Sequence, residues 1–387
     1  MIARSVILAL LLATTASAQD SARIVYLGVA DDPHYEPRAA YTGLSLRERK
    51  RPVDGARVAI RSARVPGRAL GLTFELEEVL LDASDSLAEA VDRAGDRGAL
   101  AILFDLPADR MKALLERERP PGTLWFNIRH RAGGWRTGRC PPALLHTLPS
   151  NGMLSDALAQ HLRGRGWDRV LMLRGKSPAD DEEAAAVRGS LAKFGLKLAD
   201  ERVFELSNDP RQRDLNNISL LTGGSRHDVL WLVDNAGEFG RYVPYATYAA
   251  RPVVGSEGLT PHAWHWTFER YGAPQLNQRF RRLAGRDMSS QDWAAWAAVR
   301  AVIEGVQRIG TADGVAVAGF VRSDALSLDL YKGAPGSFRP WNGQLRQPIL
   351  LATHNAVISL APLEGFAHQT DTLDTLGIDR PESGCRP

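Results

Sequence analysis

Short β-rich apolar runs recur along this chain with longer amphipathic stretches between them, and that alternation constrains the fold more than any other feature. Runs at 23–30, 72–76, 99–106, 123–128, 169–173, 202–206, 229–233 and 252–255 each read as a buried strand. Helical periodicity fills the stretches 84–94, 108–118, 154–163, 180–194 and 291–309. Strands that alternate with helices predict an α/β chain with mainly parallel sheets, each flanked by helices. At 387 residues the chain exceeds what one hydrophobic core ordinarily serves, so two lobes are expected. A Gly/Pro-rich stretch at 131–149 and a change of composition across 255–275 mark where the chain passes between them, more than once.

The first eighteen residues read as a secretory signal peptide: Arg4 is the positive start, Val6 to Ala13 the apolar stretch, and Ala16-Ser17-Ala18 a small-x-small cleavage site before Gln19. The apolar stretch is too short to span a bilayer, and no cysteine precedes Cys140 to take a lipid anchor. Periplasmic export of a soluble, monomeric protein is therefore the expectation. Basic and acidic residues nearly balance, 48 against 45, without a long basic run, which gives no footprint for nucleic acid. Two cysteines, Cys140 and Cys385, permit one disulfide in an oxidising compartment; the alternative is a pair of unlinked thiols.

Local motifs carry little chemistry by themselves. Gly175-Lys176-Ser177 follows a strand and precedes a helix as a phosphate loop would, but Val170 stands where the first glycine of that loop belongs. Ser177-Pro178-Ala179-Asp180 reads as a capped helix start, so the acids 180–183 belong to a first turn rather than to a metal site. His262 and His265 lie three apart among aromatics without an evident third ligand, and packing or loop-capping roles suit them better than metal binding. Trp293 and Trp296 recur at helical spacing and read as core. No Gly-x-Ser-x-Gly elbow or other signature of nucleophilic catalysis occurs, so no catalytic residue and no metal ligand is assigned.

In open α/β sheets ligands gather beyond the carboxyl ends of the strands. The residues directly after the runs here are unusually aromatic and polar, and the binding candidates are Tyr35, Asp105, Asn127, Arg129, Trp135, Arg174, Lys176, Glu238, Tyr242 and Glu257. Forked arginines and flat aromatic rings suit a planar, anionic ligand.

The order of these pieces resembles a type I periplasmic binding protein of the branched-chain amino acid receptor class, which serves ABC transporters. The resemblance rests on the exported first strand, on His146-Thr147-Leu148-Pro149-Ser150 leading into a helix, on Trp167-Asp168-Arg169-Val170-Leu171, and on Val254-Gly255-Ser256-Glu257-Gly258. It implies two lobes: 19–148 and 256–322 for the first, with the hinge return, and 149–255 for the second, which 323–387 completes before a C-terminal tail. It also implies a membrane permease as partner, and it places Glu257 where such receptors pair a ligand ammonium. The loop Phe104-Asp105-Leu106-Pro107 departs from the hydroxyl residues that hold the ligand carboxylate in those receptors.

A longer match lies near the C-terminus. Phe338-Arg339-Pro340-Trp341-Asn342-Gly343-Gln344-Leu345-Arg346-Gln347-Pro348, Gly365-Phe366-Ala367-His368-Gln369, Leu373-Asp374-Thr375-Leu376-Gly377 and Pro381-Glu382-Ser383-Gly384-Cys385 resemble the substrate-binding proteins associated with pyrroloquinoline quinone (PQQ)-dependent alcohol dehydrogenase systems. The resemblance implies a receptor that needs no cofactor of its own and takes PQQ, or a compound tied to its dehydrogenase, as ligand. Two other expectations stay open: a periplasmic accessory that delivers cofactor to a quinoprotein dehydrogenase, and a lanthanide or calcium scavenger using Asp31 and Asp32.

Overall fold

The computed structural model describes residues 20–39, 45–46, 48–138, 140–141, 144–205 and 209–385. The signal-peptide reading of 1–18 lies outside them. In the first lobe five parallel strands, β1 Asp20–Val29, β2 Leu72–Leu81, β3 Ala101–Asp105, β4 Leu124–Asn127 and β5 Leu144–His146, form a sheet in the order β2-β1-β3-β4-β5. Successive side chains of a strand face opposite ways, and β1 shows the result. Ile24 and Tyr26 enter the core under helices α1 (Val53–Ser62), α6 (Ala273–Ala284) and α7 (Ser290–Ile309), whereas Val25 and Leu27 face α2 (Leu87–Asp96) and α3 (Ala108–Leu115). Both faces are covered, which is why these strands read as continuous apolar runs.

The second lobe repeats the plan with β6 Arg169–Arg174, β7 Lys197–Val203, β8 Val229–Val233 and β9 Val253–Gly255, parallel in the order β9-β8-β6-β7. Val170 and Met172 of β6 pack toward α4 (Asn151–Arg165) and α5 (Pro178–Lys193), while Leu171 and Leu173 pack on the other face. Expected at 202–206, β7 instead starts at Lys197; it is an edge strand of half-exposed, mostly polar residues and so carries no apolar run. Helix starts follow the expected chemistry: Ser177 and Asp180 form a capping box at α5, as do Ser289 and Asp292 at α7. Trp293 and Trp296 of α7 are buried in the first lobe's core.

Among the described residues three segments join the lobes. Residues 147–150 lead from β5 into α4, the chain returns after β9 by way of β10 (Thr260–His262), and a last passage near residue 348 leads into β11 (Ile349–Ala352) and β12 (Val357–Ala361), which pair antiparallel in the order β10-β11-β12. Gln347 ties two of these passages, donating from Nε2 to the Thr147 carbonyl at 2.8 Å and accepting from Lys332 Nζ at 2.9 Å. Lys332 is itself buried, 3.5 Å from the centre of the Trp293 ring. The segment 323–387 is divided rather than assigned to one lobe: Leu326, Leu328, Leu330, Phe338 and Leu345 pack in the first core, Ile349, Leu351, Ala361 and Leu376 in the second. Cys140 and Cys385 form a disulfide with Cα atoms 5.3 Å apart, fastening the C-terminal tail to the stretch after β4.

Candidate functional site

The carboxyl ends of both parallel sheets open toward each other, and between them lies a cleft of about 1340 Å³. The first lobe contributes Tyr35, Arg131, Arg286 and Ser290, the second Asn151, Glu183, Asp234 and Tyr245, and the returning segment Glu257, His262 and Trp266. Direct contacts already bridge it: Gly133 N donates to Glu182 Oε1 at 3.2 Å, and Arg49 Nη2 reaches the Asn235 carbonyl at 3.5 Å.

Of the sequence candidates, Tyr35 and Glu257 line this cleft. The others do not, for identifiable reasons. Asp105, at the end of β3, is fully buried behind the wall, where its carboxylate accepts from the Tyr26 hydroxyl and, at 2.7 Å, from the Tyr35 hydroxyl. Burial pushes its pKa up, against the lowering effect of those two bonds and of Arg129 and Arg51. Arg129 pairs with Asp32 and stands 3.6 Å from Asp105, so both its charge and that of Asp32 are matched inside the lobe. Asn127 is a loop brace: Oδ1 accepts from the Arg129 and His130 amides at 3.1 and 2.8 Å, and Nδ2 donates to the His130 carbonyl and His146 Nδ1. Trp135 packs edge-on against His130, 4.7 Å between ring centres.

In the second lobe Arg174 is held between Asp181 at 2.6 Å and Glu201 at 2.7 Å, and Lys176 pairs with Glu205 on the surface. Glu238 is half-buried outside the cleft, and Tyr242 is exposed, its hydroxyl accepting from Arg241 at 2.7 Å. The arginine, not the tyrosine, reaches the cleft.

Two charged residues that line the cleft fall outside the sequence candidates. Arg131, two positions after the chosen Arg129, lines the cleft with its Nε sealed from solvent and without a hydrogen-bond partner among the described residues. Burial pushes its guanidinium below the ordinary arginine value, and Arg49 adds to this while Glu183 opposes it. Glu183, which the sequence places in a helix start, accepts from Asn235 Nδ2 at 3.0 Å, and burial pushes its carboxyl up. Nothing in the sequence separates Arg131 from Arg129, because the difference is which of them finds an acid in the folded lobe.

His262 and His265 do face the cleft, each beside a threonine hydroxyl: Nε2 of the first is 2.6 Å from Thr260 Oγ1, Nδ1 of the second 2.7 Å from Thr267 Oγ1. Among the described residues no group of three or more His, Cys, Asp or Glu side chains could hold a metal ion. Nor is any described helix long and apolar enough to cross a membrane.

Two doubly wound lobes, joined by three passages around a ligand-sized cleft, define the type I periplasmic binding protein fold. No protein-family model matches the chain and no curated protein does. Solved structures with this fold are similar to it over nearly the whole chain. A branched-chain amino acid ABC transporter periplasmic ligand-binding protein from Burkholderia xenovorans LB400 matches with a TM-score of 0.64 at 14% identity, covering 88% of this chain and 95% of that one. The ABC transporter solute-binding protein of R. palustris in complex with benzoate gives 0.64 at 13%, covering 95% and 100%. An ABC transporter substrate-binding protein from Sphaerobacter thermophilus gives 0.65 at 17%, covering 86% and 93%.

Proposed function

We propose that this chain is the periplasmic substrate-binding component of an ABC transporter: it captures a small molecule between its lobes, closes on it by bending at the three passages, and docks on a membrane permease. The observation that carries this reading is the cleft itself, walled by both sheets' carboxyl ends and crossed, among the described residues, by connecting segments and a few direct contacts, the geometry in which a ligand holds two lobes together. No chemistry is asked of the site; it binds and releases.

Within that class the ligand is PQQ or a related planar anion, and the system served is PQQ-dependent alcohol oxidation, with a quinoprotein dehydrogenase as a working partner. This finer part is supported by the sequence resemblance of the C-terminal segments, by the cleft's arginines, and by Trp266 and Tyr245, which expose 40% and 90% of their surface for stacking. Solute-binding proteins of the same fold are known in complex with benzoate and with 3,4-dihydroxybenzoic acid.

Trp266 makes the test simple. Titrating the purified chain with PQQ should give a saturable change in tryptophan fluorescence at micromolar concentration. A flat response to PQQ with a saturable response to another solute would remove the quinone and keep the receptor; a flat response to every solute tried would remove both.

A further inference from the structure

Resting on the receptor reading above, we propose that Arg131 is the anchor for a ligand carboxylate, so that the natural ligand is an organic acid recognised without any need for an ammonium group.

Charge matching inside the cleft points to this residue. Lys50 pairs with Glu48 at 2.9 Å. Arg286 is held by Asp292 and Asp54 at 2.6 and 3.2 Å, and Arg241 donates to the Tyr242 hydroxyl. The acids are engaged as well: Asp234 accepts from the Gly237 and Gly240 amides at 2.9 and 2.7 Å, and Asp287 from Arg281 at 3.0 Å. Glu183 takes the Asn235 amide at 3.0 Å. Arg131 and Arg241 each have an Nε sealed from solvent with no acceptor among the described residues; Arg241 turns to the Tyr242 hydroxyl, whereas half-buried Arg131 faces the charge of Glu183, whose carboxylate already takes the Asn235 amide. A buried donor without a partner is costly, and a carboxylate accepts the guanidinium fork in two parallel bonds.

The backbone around Arg131 is held as a binding residue's should be. Its carbonyl accepts from the Asn151 amide at 3.0 Å, which fixes it against the first residue of α4 in the opposite lobe. On its C-terminal side Gly133 bonds to Glu182 of α5. Arg136, fully buried, then clamps the strap with four bonds, to Gln344 Oε1 at 2.6 Å and to the carbonyls of Ala132, His130 and Leu148 at 2.6, 3.0 and 3.2 Å. The disulfide at Cys140 closes its far end. A side chain carried on so constrained a strap loses little further freedom on binding, which strengthens the interaction it makes. The strap touches both lobes, so a carboxylate seated on Arg131 lies where closure is decided.

The experiment is calorimetric titration of the full chain with PQQ, benzoate, methyl benzoate and leucine, repeated on Arg131→Ala, Arg131→Lys and, as a control outside the cleft, Lys176→Ala. Circular dichroism melting establishes that each variant is folded. The expected result is binding of at least one free acid, a loss of thirtyfold or more in R131A, a smaller loss in R131K because an ammonium cannot fork, and no change in K176A. Neutral methyl benzoate should bind at least tenfold more weakly than benzoate. Undiminished acid binding by R131A, or methyl benzoate binding as tightly as benzoate, overturns the anchor. Preference for leucine with R131A unaffected also overturns it while leaving the receptor reading intact. Folded wild-type protein that binds none of these compounds nor any neutral sugar overturns both.

Discussion

At the scale of single residues, the loop after β4 sets four neighbours to different tasks. Asn127 braces it, Arg129 neutralises Asp32, His130 fills space beside Trp135, and Arg131 faces the cleft. His130 makes this division testable by pH. Its Nε2 is 2.7 Å from the Leu106 carbonyl, and burial, which outweighs that bond, pushes its pKa down to about 4, with Arg129 and Arg136 adding to the shift. The folded protein thus keeps the ring neutral while the unfolded chain takes up a proton below its ordinary value of about 6.5. Stability should fall as the pH drops from about 6.5 toward about 4 and then stop responding to this group, and buried His146, also shifted downward, acts in the same sense. Urea unfolding midpoints across that range should decline, less steeply in His130→Gln. A profile in which the wild type and the variant decline equally would contradict the assignment.

The elements that made the sequence most distinctive turn out to hold the molecule together. None of the residues in the four C-terminal segments quoted above lines the cleft. Arg339 and Asp374 instead form a fully buried ion pair at 2.7 Å, with Arg339 Nη2 also donating to the Leu373 and Leu376 carbonyls at 2.9 and 2.7 Å and Arg346 sharing the same carboxylate. Gln344 joins them to Arg136 and so to the strap that carries Arg131. Replacing Asp374 by Ala leaves the buried Arg339 guanidinium without its acid, and Arg346 with Asp371 alone at 3.5 Å, and should cost about 3–5 kcal/mol in denaturant unfolding. Exchanging Arg339 and Asp374 together for Met and Leu should recover a large part of that loss, whereas equal losses in the single and double variants would contradict a pairing role. Strands such as β8, apolar throughout, were legible from the sequence to the residue, because burial on both faces leaves one reading. Edge strand β7, helices α1 and α6 and the antiparallel β10-β11-β12 sheet were not, since their patterns are interrupted by polar residues or set only by partners distant in the chain. The site was less legible than the fold. Position after a strand end picked out Tyr35 and Glu257, which line the cleft, but whether an arginine faces a cleft or an aspartate depends on contacts such as Asp32 with Arg129, across 97 positions.

For the whole molecule, three passages, two of them tied by Gln347, and a strap that touches both lobes suit the bending closure proposed above. On the proposed reading, a ligand that contacts both walls exerts leverage on that bend, and its acid group is selected by Arg131. The most direct test is a crystal structure of the chain with the tightest-binding acid from the titrations. The account predicts density for the acid inside the interlobe cleft, in contact with both lobes, with its carboxylate on the Arg131 guanidinium. An acid bound to one lobe outside the cleft, or inside it with Arg131 turned away, would contradict the account.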